Sequence, residues 1–257
     1  MIPIITLVLV SIPSYFLLKY SVEQNIFPIR NMRGNPKEKI NYELIYRYPG
    51  NPVLLFCNGN IGTMKIAKEY TSKMCEHHSL NLCCFDYSGY GESPGSISCK
   101  QILKDGETVY NELLSKGIHQ NDIIVCGDSI GSGVAAHLAN IYKDTRCCIL
   151  ISPYINLPSI MFGLHLGKLL NYVSYFFIND PLATYKIIDK ISAPVILIHG
   201  TKDYLISHEH SKYLANVREQ YKLPTYAIYT DNGHYIPDIC QLTNDIFVRE
   251  GLTTNFT

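Results

Sequence analysis

The chain carries a series of short, largely apolar runs, each followed by a stretch with helical spacing. The runs are Pro52–Cys57, Leu80–Asp86, Ile123–Cys126, Cys147–Ser152, Pro194–His199 and Thr225–Tyr229. A strand that is apolar at every position has to be covered on both faces. Strands alternating with helices meet that demand in one way, a mostly parallel sheet with helices on both sides. The segments between the runs supply the helices: Ile61–His77, Ile102–Leu114, a small-residue helix around Ser132–Ala139, one near residues 207–219 and a last at residues 236–249. Ile40–Tyr48 alternates enough to form an edge strand. The fold class is therefore α/β, in a single large domain over residues 40–250.

Composition narrows what this domain does. The formal net charge is zero, so nothing points to nucleic acid or another polyanion. Nine cysteines are present and no two stand in C-x-x-C spacing, which leaves a zinc ribbon or thioredoxin-like motif unsupported. Cys57, Cys83, Cys84, Cys126, Cys147 and Cys148 all fall in predicted strands, as suits reduced, packed thiols. The N-terminus is different in kind. Met1–Leu18 contains no charged side chain and is rich in Ile, Leu and Val. As a helix it would be about 27 Å long at 1.5 Å per residue, at the threshold for crossing a bilayer. An uncleaved anchor over residues 1–20 is the leading expectation, with a signal peptide and a buried first helix as the alternatives. Lys19, Arg30, Arg33, Lys37 and Lys39 follow it along a polar linker (21–39), which would place the folded body on the cytosolic side.

Two stretches match the pattern G-x-S-x-G: Gly91-Glu92-Ser93-Pro94-Gly95 and Gly127-Asp128-Ser129-Ile130-Gly131. In a nucleophile elbow the N–H of the residue after the serine binds the oxyanion. Pro94 has no N–H, which disables the first match. The second lies between a predicted strand and a helix of small residues, the context the elbow needs. A serine hydroxyl requires a histidine base, and the histidine requires a carboxylate to hold its tautomer. With Ser129 as nucleophile and the order serine, acid, histidine, Asp203 just past the run Pro194–His199 is the candidate acid. Asp231 and Asp180 are its competitors. His234, after the last strand, is the candidate base. His199 is expected to pack near its strand end, and His208 and His210 to lie on a surface helix. The loop Asn58-Gly59-Asn60-Ile61-Gly62 offers the second oxyanion donor, assigned to Asn60 N–H beside Ile130 N–H. Residues 154–191 form an insertion rich in Leu, Phe and Tyr. It is either one more core helix with a long connection or a cap over the site.

These motifs resemble the α/β-hydrolase superfamily. They are Asn58-Gly59-Asn60, Asp86-Tyr87-Ser88-Gly89-Tyr90-Gly91, Gly127-Asp128-Ser129-Ile130-Gly131, Ile198-His199-Gly200-Thr201-Lys202-Asp203 and Gly233-His234. Within it the chain looks like the membrane-associated α/β-hydrolase-domain proteins, the branch that includes protein depalmitoylases. The resemblance implies an α/β-hydrolase fold with a small helical cap, and a Ser129–His234–Asp203 triad without metal or cofactor. It further implies an acyl ester or thioester substrate, from a lipid or an S-acylated protein. The family usually has His-Gly-Asn where this chain has Asn58-Gly59-Asn60, and no cysteine precedes Cys57 where depalmitoylases carry a lipidated cluster. An amide-cleaving variant and a non-catalytic, hydrolase-like protein that binds a lipid or partner are the competing expectations.

Overall fold

A computed structural model describes Phe27, residues 37–162 and residues 180–252. Each expected strand is there: β1 (Tyr42–Ile45), β2 (Val53–Cys57), β3 (Asn81–Phe85), β4 (Ile123–Asp128), β5 (Cys147–Ile151), β6 (Val195–Gly200) and β7 (Thr225–Thr230). They form one sheet in the order β1-β3-β2-β4-β5-β6-β7. Only β1 runs antiparallel, paired with β3 through Tyr42↔Phe85 and Glu43↔Cys84. The other five pairings are parallel. The chain winds outward from β2 in one direction through β3 and in the other through β4. The strand order therefore reverses between β2 and β4, and a crevice opens beyond their carboxyl ends.

Helices α1 (Met64–His77), α2 (Cys99–Ser115), α3 (Ile130–Ile141), α4 (Leu157–Phe162), α5 (Glu209–Gln220) and α6 (Ile239–Arg249) complete the core. Successive strand residues point to opposite faces, so each apolar run feeds two cores at once. Leu54 and Phe56 of β2 pack with Ala67 and Met74 of α1 and Ile239 and Phe247 of α6. Val53, Leu55 and Cys57 face the other way, onto Val109 of α2, Val134 of α3 and Leu214 of α5. This two-sided burial is why the runs carry almost no polar residues. All nine cysteines are unpaired thiols, and eight of them are buried.

The N-terminal segment Met1–Leu18 lies outside the described residues, as does most of the linker. Among the described residues no helix is long and apolar enough to cross a membrane. The insertion is described only at its ends. Tyr154, Ile155 and Leu157 on one side, and Leu182, Ile188 and Ile191 on the other, belong to the main core. Asp180 is buried there as well, accepting from Leu157 N–H and Leu182 N–H at 2.9 Å each, so it pins the two ends of the insertion together. One expectation needs correcting. His210 is not on a surface: it is 2% exposed, and its Nδ1 accepts from Ile155 N–H at 3.2 Å. Helix α5 turns that face inward, where Ser211 and Leu214 are also fully buried.

Candidate active site

Ser129 stands between the end of β4 and the first turn of α3, at φ 51° and ψ −119°. A non-glycine residue held in such a region costs on the order of 1–3 kcal/mol and persists only where its surroundings over-determine it. The surroundings are visible. A Cβ on Gly127 would come within 2.1 Å of Gly131 O, and one on Gly131 within 2.1 Å of Cys57 O. Both glycines are therefore dictated by how closely the turn folds on itself and on the end of β2. Ser129 N–H donates to Ile151 O at 2.9 Å, and Ser132 Oγ to Ser129 O at 2.6 Å. The serine is fixed at the crevice between β2 and β4.

The other G-x-S-x-G sequence does something else. Ser93 is 3% exposed; its Oγ donates to Asp86 O at 2.6 Å and accepts from Asn41 N–H at 2.9 Å. It ties the loop after β3 to the residue just before β1.

Asp203 and His234 arrive from separate loops that are laced together. Thr201 N–H donates to Thr230 O and Lys202 N–H to Asn232 O, at 2.7 and 2.9 Å. Gly200 lies so close to the other loop that a Cβ would meet Gly233 O at 2.1 Å. The result is a 2.7 Å contact from His234 Nδ1 to Asp203 Oδ2. Asp203 Oδ1 accepts from Leu205 N–H and Ile206 N–H at 2.9 Å each. Burial opposes its charge, but the hydrogen bonds from His199, His234 and Ile206 outweigh that and hold the carboxyl well below the usual carboxylate range. An ionised carboxylate only accepts, so Nδ1 of His234 carries the hydrogen and Nε2 keeps its lone pair. Burial disfavours the imidazolium of His234, yet the hydrogen bond and charge of Asp203 and the charge of Asp128 raise its pKa above the ordinary value. Asp231, the competing acid, points away: it pairs with Lys202 at 2.7 Å on the exposed surface.

Ser129 and His234 line one pocket of about 340 Å³ together with Asp128, Phe56, Asn58–Gly62, Ile66, Ala67, Glu69, Tyr70 and Tyr235. Among the described residues no hydrogen bond joins the Ser129 hydroxyl to the His234 ring, a distance that is often long in free enzymes. Asn60 lies on the pocket wall, its carbonyl accepting from Tyr90 OH at 3.0 Å. The Asn58 side chain is turned away from chemistry: it is buried and donates to Phe85 O at 2.8 Å, tying the loop to β3. A Cβ on Gly62 would come within 2.7 Å of it. The amide at position 58 thus holds the shape of the loop that carries Asn60.

Two contributors escaped the sequence reading, and a third, His199, was placed at its strand end without its contact to the acid. Ser152 Oγ donates to His234 O at 3.1 Å and so anchors the histidine loop to the end of β5. His199 Nε2 lies 2.8 Å from Ile206 O and 3.3 Å from Asp203 Oδ2, which requires that nitrogen to carry hydrogen and makes it a further support for the acid. Its position one residue before the end of β6 was the available signal. Asp128 is the other that escaped. It is in the pocket, it has no hydrogen-bonding partner among the described residues, and burial pushes its carboxyl up to about 6, with His234 pulling down and Asp203 pushing up.

A seven-stranded sheet of this order, with a strained serine after β4 and a buried carboxylate–histidine pair beyond β6 and β7, defines a hydrolase of the α/β-hydrolase superfamily. The chain belongs to the family described as serine aminopeptidase, S33, whose profile matches residues 50–181. It is 32% identical over 158 residues to alpha/beta hydrolase domain-containing protein 17C of Xenopus laevis, covering 61% of this chain and 48% of that protein. Protein 17B of Homo sapiens is 30% identical over the same length, covering 52% of its chain. The match therefore spans about half the length of these curated relatives. Two solved structures share the fold at low identity. A monoacylglycerol lipase of Paleococcus ferrophilus superposes with TM-score 0.58 at 16% identity, over 82% of this chain and 97% of its own. A butyrate-bound esterase of Thermogutta terrifontis gives 0.64 at 15%, over 85% and 92%.

Proposed function

We propose that this chain is a serine hydrolase that cleaves an acyl ester or thioester through Ser129, His234 and Asp203. His234 Nε2 takes the hydroxyl proton as Ser129 Oγ attacks the acyl carbonyl. Asp203 holds the tautomer and stabilises the imidazolium that forms. The N–H groups of Asn60 and Ile130 receive the oxyanion. Collapse of the tetrahedral intermediate breaks the bond to the leaving oxygen or sulfur, which takes the proton from His234. Water then enters, His234 removes its proton, and the acyl-serine is hydrolysed to the carboxylic acid and free Ser129. The chemistry requires neither metal nor cofactor.

The observation that carries this reading is the 2.7 Å His234–Asp203 contact beside a serine held at positive φ in the same pocket. A protein that only bound ligands would gain stability by relaxing that serine, which argues against a non-catalytic role. The acyl preference rests on the wall formed by Phe56, Ile61, Ile66 and Ala67, which suits a hydrocarbon chain better than a peptide backbone. The lipase and esterase named among the structural neighbours act in the same spirit, although they share only the fold. The uncharged Met1–Leu18 segment would hold the enzyme at a membrane, where an acylated lipid or protein is met, with the catalytic body in the cytosol. The test is labelling with a fluorophosphonate probe. Wild type and Ser93→Ala are expected to label and Ser129→Ala is not. Labelling that follows Ser93, or persists without Ser129, overturns the assignment.

A further inference from the structure

A second cluster of chemistry-bearing side chains lies away from the pocket, where the end of α1 meets the beginning of α6. One ring nitrogen of His77, one of His78 and Sγ of Cys240 all lie within 4.8 Å of one another. His77 is the last residue of α1, His78 caps it, and Cys240 is the second residue of α6. We propose that His77, His78 and Cys240 form a transition-metal site, with Zn²⁺ the ion their donor set favours, clamping the end of α1 to the first turn of α6.

The donors decide the class of ion. Two imidazoles and a thiolate are borderline-to-soft ligands, which suit zinc and disfavour magnesium or calcium. Zinc bonds of about 2.0–2.1 Å to nitrogen and about 2.3 Å to sulfur, at tetrahedral angles, require ligand atoms about 3.5 Å apart. The longest separation here has to close by roughly 1 Å, which a side-chain rotation of the exposed His77 and the half-exposed Cys240 supplies. Three protein ligands leave the fourth tetrahedral position to water.

The cluster also has the supporting contacts a metal site uses. The His78 ring stacks on Phe247 with centroids 4.3 Å apart, and meets the His77 ring edge-on at 4.8 Å. His77 Nε2 lies 3.1 Å from Asn244 Oδ1, one turn beyond Cys240 on α6. With Nε2 held by that amide, Nδ1 is the His77 nitrogen left to a metal, and the amide would orient the ring from behind. Cys240 is set apart from the other eight cysteines, which are buried; it alone is partly open to solvent and to an incoming ion.

The clamp would act on the wall of the pocket. Helix α1 carries Ile66, Ala67 and Tyr70, which line it. The Tyr70 hydroxyl donates to Ile236 O at 2.9 Å, within the segment that connects His234 to Cys240. Metal at the far end of α1 would therefore stiffen both sides of the same contact.

Cobalt(II) is the probe, titrated into the full-length protein under reducing conditions. A one-to-one complex with a thiolate-to-cobalt charge-transfer band and intense tetrahedral d–d bands is expected, and Zn²⁺ should displace it. Cys240→Ser should abolish the charge-transfer band, and His77→Ala should weaken binding by at least about tenfold, since losing a ligand costs no less than the roughly 10–100-fold that goes with an outer-shell partner. Both substitutions are at solvent-accessible positions, so circular dichroism should show the fold retained. Absence of the band in wild type, or its persistence in Cys240→Ser, overturns the site.

Discussion

Replacing Asp128 by Asn should make the protein more stable above neutral pH and leave it nearly unchanged in acid. The side chain lies beside Ser129 in a pocket wall where its carboxylate has no hydrogen-bond donor among the described residues. Burial lifts its pKa from the ordinary 3.8 to about 6. The folded protein therefore holds this proton more tightly than the unfolded chain does. Between the two values the folded state binds more protons, so stability falls as pH rises through this window and levels off above it. At about 1.36 kcal/mol for each pKa unit the complete loss is at most about 3 kcal/mol, reduced by the solvent that still reaches this half-buried side chain, and most of it is incurred between pH 4 and pH 8. Asparagine has nearly the same shape and no charge to bury, so it escapes the loss. Urea denaturation of both proteins at pH 4 and pH 8 is the assay. The stability difference between variant and wild type should shift in favour of the variant by about 1–2 kcal/mol from the lower to the higher pH. A second readout follows from the same carboxylate. Ionised Asp128 helps raise the pKa of His234. Its removal should move the acid limb of kcat/KM to lower pH, because the base is then neutral over a wider range. An unchanged stability difference at the two pH values would refute the reasoning. So would destabilisation by Asn confined to pH 8, since it would mean that the folded protein pairs this carboxylate.

Three further outcomes are expected. Asp203→Asn should lower kcat by about 10³–10⁴ with the fold intact, since tautomer control of His234 is lost, whereas Asp231→Asn, which only breaks a surface pair with Lys202, should stay within a few-fold in steady-state assays. Ser129→Gly should abolish fluorophosphonate labelling yet raise the unfolding free energy by about 1 kcal/mol, because glycine occupies the positive-φ turn without strain; a less stable variant would show that the serine is not strained. A protein beginning near residue 30 should pass from the membrane to the soluble fraction, keep turnover of short water-soluble esters and lose turnover of bilayer-borne substrates, since burying each Ile, Leu or Val of Met1–Leu18 contributes roughly 1.5–3 kcal/mol; equal partitioning of the long and short forms would remove the anchor.

The strands were legible because each is buried on both sides, which forces one apolar residue after another and leaves little room for a rival reading. The candidate serine, acid and base were picked out for a different reason. They must follow three strand ends in a set chain order, so once the elbow was placed after β4, few residues were eligible for the other two positions. What stayed hidden depends on contacts between residues distant in the chain. Ser152 looks like an ordinary loop serine until its hydroxyl is found on the carbonyl of His234, 82 residues on. Arg218 would be taken for a solvated helix charge. It is fully buried, donating to the carbonyls of Ile188, Ile191 and Ala193, ahead of β6, and of Pro224, just after α5. His210 misled for the same reason, because the polar face of a helix cannot be told from a face that meets buried main-chain donors. The glycines show where local and distant reasons coincide. Gly127 and Gly131 satisfy a short motif, but what excludes a side chain at Gly131 is Cys57 O, at the end of a strand 74 residues earlier. The motif is therefore a statement about the sheet as much as about the turn. It requires β2 and β4 to be neighbours, and that adjacency opens the crevice in which Ser129 stands.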